Sequence, residues 1–129
     1  MPHLHIEYSA NLEAITDVGA LCQALHGRMV DSRVFPTAGI RVRAFKANHA
    51  IVADGLLENA FVAMTLSVGA GRTVETLRAE GDALFAVAQN HLAGPLSKPH
   101  FALSLEIRVS DPELSWKDTP IHARLSKGK

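Results

Sequence analysis

Residues 101–109 alternate without interruption: Phe101, Leu103, Leu105, Ile107 and Val109 hold one parity, and Ala102, Ser104, Glu106 and Arg108 the other. That period of two belongs to a half-buried β-strand, because successive side chains leave a strand on opposite faces. The same period recurs from Pro2 to Tyr8, where Leu4, Ile6 and Tyr8 oppose His3, His5 and Glu7. It returns where Ile40, Val42 and Ala44 oppose Arg41, Arg43 and Phe45, placing two arginines on one strand face. Ala60 to Val68 is apolar at both parities and reads as a buried strand.

Between these strands the period lengthens. Ser9-Ala10-Asn11 offers turn and N-cap chemistry, Glu13 suits a first helical turn, and Leu12, Ile15, Val18, Cys22, Leu25 and Met29 recur at helical spacing. Phe35-Pro36-Thr37-Ala38-Gly39 breaks that helix, and Asp54-Gly55 marks a further turn. Gly69 to Thr73 is a tight turn into a second helix with Val74, Leu77, Gly81, Leu84, Ala88 and His91 or Leu92 on its core stripe; Gly94-Pro95 ends it. A weaker β pattern runs around Trp116 and from Ile121 to Arg124. The expected architecture is a single α+β domain over residues 1–129: a duplicated β-α-β unit forming a four-stranded sheet with two helices on one face, plus a short C-terminal β segment. Apolar residues on both faces of several strands predict that other subunits cover the second face.

Composition removes several function classes. The 129 residues hold material for one core, and 13 basic residues balance 13 acidic ones, so no footprint for a nucleic acid or an acidic membrane exists. An anionic partner must be small and locally recognised. No apolar run reaches bilayer length, and the lone Cys22 excludes an internal disulfide framework, so a reducing, cytoplasmic setting is expected.

Pro2 opens a strand, a place where proline is tolerated because it owes the ladder no hydrogen bond. Its functional reading is that removal of Met1 exposes a secondary amine, a general base if burial and neighbouring cations lower its pKa toward neutrality. Arg41 and Arg43 on one strand face, and Arg72 at a glycine-softened helix entrance, are candidate carboxylate ligands; solvent exposure or pairing with Glu7, Glu58 or Glu106 is the plain alternative. His3 and His5 share a face but lack the further ligands of a metal site, so no metal is assigned. Cys22 lies on the helix stripe as a core thiol, and no serine or aspartate forms a nucleophile motif.

Taken together, the segments PHLHIEYSANL, FPTAGIRVRA, AFVAMTLSVGAGRTVET, FALSLEIRVSDPELSWK and IHARL resemble the 5-carboxymethyl-2-hydroxymuconate isomerase family of the tautomerase superfamily over nearly the whole chain. The resemblance implies β-α-β repeats, a homotrimer, and an amino-terminal proline acting as acid/base without metal or organic cofactor. Carried onto this sequence, it puts the proton-transferring nitrogen on Pro2, substrate-binding guanidinium groups on Arg41 and Arg72, and Arg43 beside them. The implied substrate is a dienol polycarboxylate from the breakdown of aromatic compounds. A tautomerase for a different enol acid, and a non-catalytic trimeric small-acid binding protein, are the alternatives.

Overall fold

The computed structural model describes residues 1–127. Four strands, β1 (His3–Ser9), β2 (Arg41–Ala47), β3 (Ala60–Gly69) and β4 (Phe101–Ser110), form one sheet in the order β2-β1-β3-β4. β1 runs parallel to β2 and β3 parallel to β4, while β1 and β3 pair antiparallel at the centre. Helix α1 (Val18–Ser32) connects the first parallel pair and α2 (Val74–His91) the second, so the chain is two β-α-β units placed head to tail. A single turn, α3 (Ala93–Leu96), follows α2, and α4 (Pro120–Lys127) ends the described chain. Among the described residues no helix is long and apolar enough to cross a membrane.

The alternation seen in the sequence decides the layers. Leu4, Ile6 and Tyr8 on β1, with Val62, Met64, Leu66 and Val68 on β3, are buried in one cluster beneath Leu21, Leu25 and Met29 of α1 and Leu77, Leu84 and Ala88 of α2. The two helices are tied by Arg28, whose Nη2 lies 3.2 Å from Oε1 of the buried Glu80. A carboxylate on a core stripe persists because it is paired there.

The opposite face departs from the expectation of apolar strands on both sides. Strand register gathers His3, His5 and Glu7, Thr65 and Ser67, Arg41 and Arg43, and Ser104, Glu106 and Arg108 on it, with Phe45, Phe61 and alanines between them. The sequence of Ala60–Val68 had looked apolar at both parities because Phe61 and Ala63 sit among the polar positions. Apolar exposure includes Phe45 on this face, Ile51 and Leu57 in the loop between β2 and β3, Val109 at the end of the edge strand β4, and Leu114 and Trp116 beyond it, Trp116 at 85%.

Two element assignments are corrected. Helix α1 does not start near Leu12; Ala10–Ala14 is a 3₁₀ turn, and the helix is capped at Asp17, whose side chain accepts the Ala20 N–H at 3.0 Å. Asn11 does not cap, because its amide donates across the chain to the carbonyls of Leu57 (3.2 Å) and Asn59 (2.9 Å). Ile15, which precedes the helix, is consequently exposed rather than on the core stripe, and Val74, the first residue of α2, is exposed too. The C-terminal β segment is absent as well: Trp116 lies in an irregular stretch after a 3₁₀ turn at Pro112–Leu114, and Ile121 to Arg124 are helical. Pro120 explains the difference, since a ring with no N–H and a fixed φ suits a first helical turn.

Candidate active site

Antiparallel pairing of β1 with β3, between two parallel pairs, sends the beginnings of β1 and β2 and the ends of β3 and β4 to one edge of the sheet. His3 is opposite both Arg41 and Ser67, and Gly69 is opposite Ser110. The Arg41 N–H donates to the Pro2 carbonyl at 3.0 Å, extending the β1–β2 ladder to the proline. Pro2 is buried there. Its fit requires Gly39: a methyl group on that residue would stand 3.2 Å from Pro2 Cδ and 3.3 Å from Met1 Cα, too close for an undisturbed side chain.

Around this point the chain collects positive charge. Arg41 is half-buried and held by its own turn, its Nη1 donating to the carbonyls of Ala38 (2.8 Å) and Ile40 (3.1 Å). Arg72 follows Gly71, which takes a positive φ of 116°, so the β3–α2 turn doubles back. The Arg72 Nε donates to the Val34 carbonyl at 3.4 Å, and its guanidinium lies 5.0 Å from the centre of the Phe35 ring, a cation–π contact. Arg43 sits one pleat further along β2, exposed on the open face, with Nη1 3.1 Å from His3 Nδ1. A guanidinium only donates, so His3 Nδ1 accepts, which makes the ring neutral with its proton on Nε2. Beside it, His5 stacks on Phe45 with centroids 4.8 Å apart.

Among the described residues no carboxylate forms an ion pair with Arg41, Arg43 or Arg72, whereas Arg28, Lys46 and Arg108 each have one. Backbone carbonyls and an aromatic ring orient the guanidinium groups but leave their charge uncompensated. The arrangement can hold a small anion near the half-buried chain terminus.

Sequence reasoning missed the contribution of the tail. Burial, and then the Lys117 ammonium, lead the causes that lower the pKa of the Met1 α-amine from its ordinary 8.0, with Arg72 and Arg41 adding to them. His122 also arrives at Gly39, with Nε2 3.6 Å from the methyl position described above. The weak β pattern around Trp116 and Ile121 gave no reason to bring these side chains back to Pro2; Thr119-Pro120, read as a helix start, was the signal available. Cys22, expected in the core, is only partly buried against it, and burial pushes its thiol pKa up, away from reactivity.

The family model for 5-carboxymethyl-2-hydroxymuconate isomerase matches residues 2–125. The chain belongs to this family. It is 35% identical over 123 residues to the 5-carboxymethyl-2-hydroxymuconate Delta-isomerase of Escherichia coli, covering 95% of this chain and 98% of that protein. A crystal structure of a 5-carboxymethyl-2-hydroxymuconate isomerase from Deinococcus radiodurans R1 superimposes with a TM-score of 0.89 at 38% identity, over 96% of this chain and 93% of that one. A fused 4-OT wild-type symmetric trimer, 17% identical, shares the fold with a TM-score of 0.64 over 90% of this chain and 93% of its own. The protein is therefore an isomerase built on the α+β fold of the tautomerase superfamily.

The His3–Arg43 contact makes a prediction. Burial first, then the Arg43 and Arg41 charges, lower the His3 pKa from its ordinary 6.5. A lowered value in the folded state means that the stability His3 contributes is present above pH 6.5 and is lost as pH falls through the lowered pKa. An NMR titration should place the His3 midpoint below 6.5, and Arg43→Met should move it part of the way back, burial remaining. A midpoint at or above the ordinary value with Arg43 intact would contradict this geometry.

Proposed function

We propose that this isomerase moves a proton on a dienol polycarboxylate of the 2-hydroxymuconate type, formed in the cytoplasmic breakdown of aromatic compounds, with the Pro2 nitrogen as acid/base. The observation that carries the reading is the convergence of the buried Pro2 and the half-buried Met1 amine with Arg41 and Arg72, neither of which has a carboxylate partner among the described residues. The name of the Escherichia coli relative supplies the substrate class. Family membership also weighs against a purely non-catalytic small-acid binding protein.

While Met1 is attached, the Pro2 nitrogen is an amide whose lone pair is delocalised into the carbonyl, so the role requires removal of Met1. The freed secondary amine takes the proton from the 2-hydroxyl of the dienol and becomes an ammonium. Electrons from the broken O–H bond enter the conjugated system and form a dienolate. The ammonium then returns its proton to a carbon of that system, leaving a 2-oxo acid and the free amine, with no net loss or gain. Arg41 and Arg72 grip the carboxylates and stabilise the developing negative charge where water is excluded, with Arg43 alongside on β2. Their charges also disfavour the protonated amine, in the direction already seen for the Met1 amine.

The assembly read for this chain is a homotrimer. The symmetric trimer of the fused 4-OT neighbour supports it, as do the exposed Val109, Leu114 and Trp116 beside the edge strand β4. Sedimentation of the trimmed protein should give three chains per particle at micromolar concentration; an active monomer would remove this part of the reading.

Homogeneous Met1-bearing protein should turn over the dienol at least about a hundredfold more slowly than enzymatically trimmed protein, the usual size of a lost acid/base step. For the trimmed enzyme, kcat/KM should rise with pH as the amine loses its proton, at a midpoint below that of an unperturbed prolyl amine. Equal rates for the two forms would mean that Pro2 is not the base. Failure on this dienol, with turnover of another enol acid, would transfer the mechanism to that substrate.

Arg41→Ala and Arg72→Ala should each cost about 2 to 5 kcal/mol in transition-state stabilisation, read from kcat/KM. Lysine at either position should restore only part, keeping the charge and losing the fork. Wild-type kcat/KM in both folded alanine variants would dismiss the anion clamp.

A further inference from the structure

The chain beyond β4 turns at Pro112–Leu114 and returns across the amino-terminal site, where α4 packs on the Thr37–Gly39 turn. His122 on α4 is half-buried there. Its Nε2 lies 3.6 Å, and Pro2 Cδ 3.2 Å, from the position a Gly39 methyl would take. Cδ is bonded directly to the proline nitrogen, so the imidazole and the Pro2 ring converge on the same residue, Gly39.

The ring is fixed at its other nitrogen. His122 Nδ1 is 2.7 Å from Thr119 Oγ1, and the His122 backbone N–H closes the turn onto the Thr119 carbonyl at 3.0 Å. The contact allows either direction; if the threonine hydroxyl donates to Nδ1, a neutral imidazole carries its hydrogen on Nε2, the nitrogen on the Gly39 side. A neutral N–H on the Gly39 side differs in kind from the guanidinium groups. Set against the 2-oxygen of an enol, such a donor would form a hydrogen bond that strengthens as this oxygen becomes an enolate.

We propose that His122 is a substrate-binding residue of this active site, donating Nε2–H to the 2-oxygen of the enol acid, and that Thr119 is the positioning residue that sets its tautomer. The inference rests on the Pro2 reading for its account of the reaction. Its recognition component can be measured without turnover.

The test uses trimmed protein and two saturated probes with no double bond to isomerise, hexanedioate and 2-oxohexanedioate, with binding followed by calorimetry. Wild type should prefer the 2-oxo acid by about five- to tenfold, in line with one hydrogen bond in a shielded site. His122→Ala should lose that preference while binding hexanedioate as wild type does. His122→Gln, which keeps an N–H donor, should retain most of it, and Thr119→Val should fall between. On the dienol, His122→Ala should lower kcat by at least about tenfold, a change a donor to the developing enolate should produce. No preference in wild type, an unchanged preference in His122→Ala, or equal weakening toward both probes would overturn the proposal. If the probe preference behaves as expected but trimmed and Met1-bearing protein turn over enol acids at equal rates, the Pro2 mechanism fails while recognition by His122 stands.

Discussion

Antiparallel pairing between β1 and β3 is the constraint on which the site depends. Each half of the chain forms a parallel β-α-β unit, which alone places the start of its first strand beside the start of its second. Joining the halves antiparallel through β1 and β3 brings the start of one unit to the end of the other. Pro2 and Arg41 from the first unit thereby meet the Gly69–Thr73 turn and the root of the C-terminal tail from the second. A one-residue slip in that central register would turn Leu4, Ile6 and Tyr8 out of the core, so the packing that stabilises the sheet also holds the site's alignment.

Holding like charges together costs free energy, and the local structure shows how the arrangement persists. Arg41 is satisfied by the carbonyls of Ala38 and Ile40, and Arg72 by the Val34 carbonyl and the Phe35 ring. Both orienting segments lie in the single stretch between α1 and β2, so a short loop fixes two guanidinium groups contributed by different halves of the fold. Its Gly39 lets Pro2 come close. The Phe-Pro-Thr-Ala-Gly segment is thus a mould for the site as well as a break between two elements.

The strands were legible because each exposes one face, and alternation survives at β1, β2 and β4 even where the buried side is only half-covered. The segments carrying Pro2, Arg41 and Arg72 were legible with them, through motifs whose order matches the family. The start of α1 was not, because Asn11 looks like a cap locally and is used instead by the loop at residues 56–59, a partner distant in sequence. The buried Glu80 was hidden for the same reason: its place on the core stripe makes sense only once Arg28 of the other helix is beside it. The tail was misread because Ile121 and Leu125 are compatible with either period over so short a span, and Pro120 decides for a helix.

The balance of 13 basic and 13 acidic residues acquires a meaning from this arrangement. With no net charge, the protein has little long-range field to draw in a polyanion, and charges on its distant surfaces are screened within about 8 to 10 Å at physiological salt. Arg41, Arg72 and Lys117 nevertheless act together on the Met1 amine. Under the proposed function, local excess within overall neutrality would favour a small anion held at the terminus over a large polyanion. The same local excess favours a deprotonated amine, so charges suited to holding a carboxylate also favour the state of a base that can accept a proton.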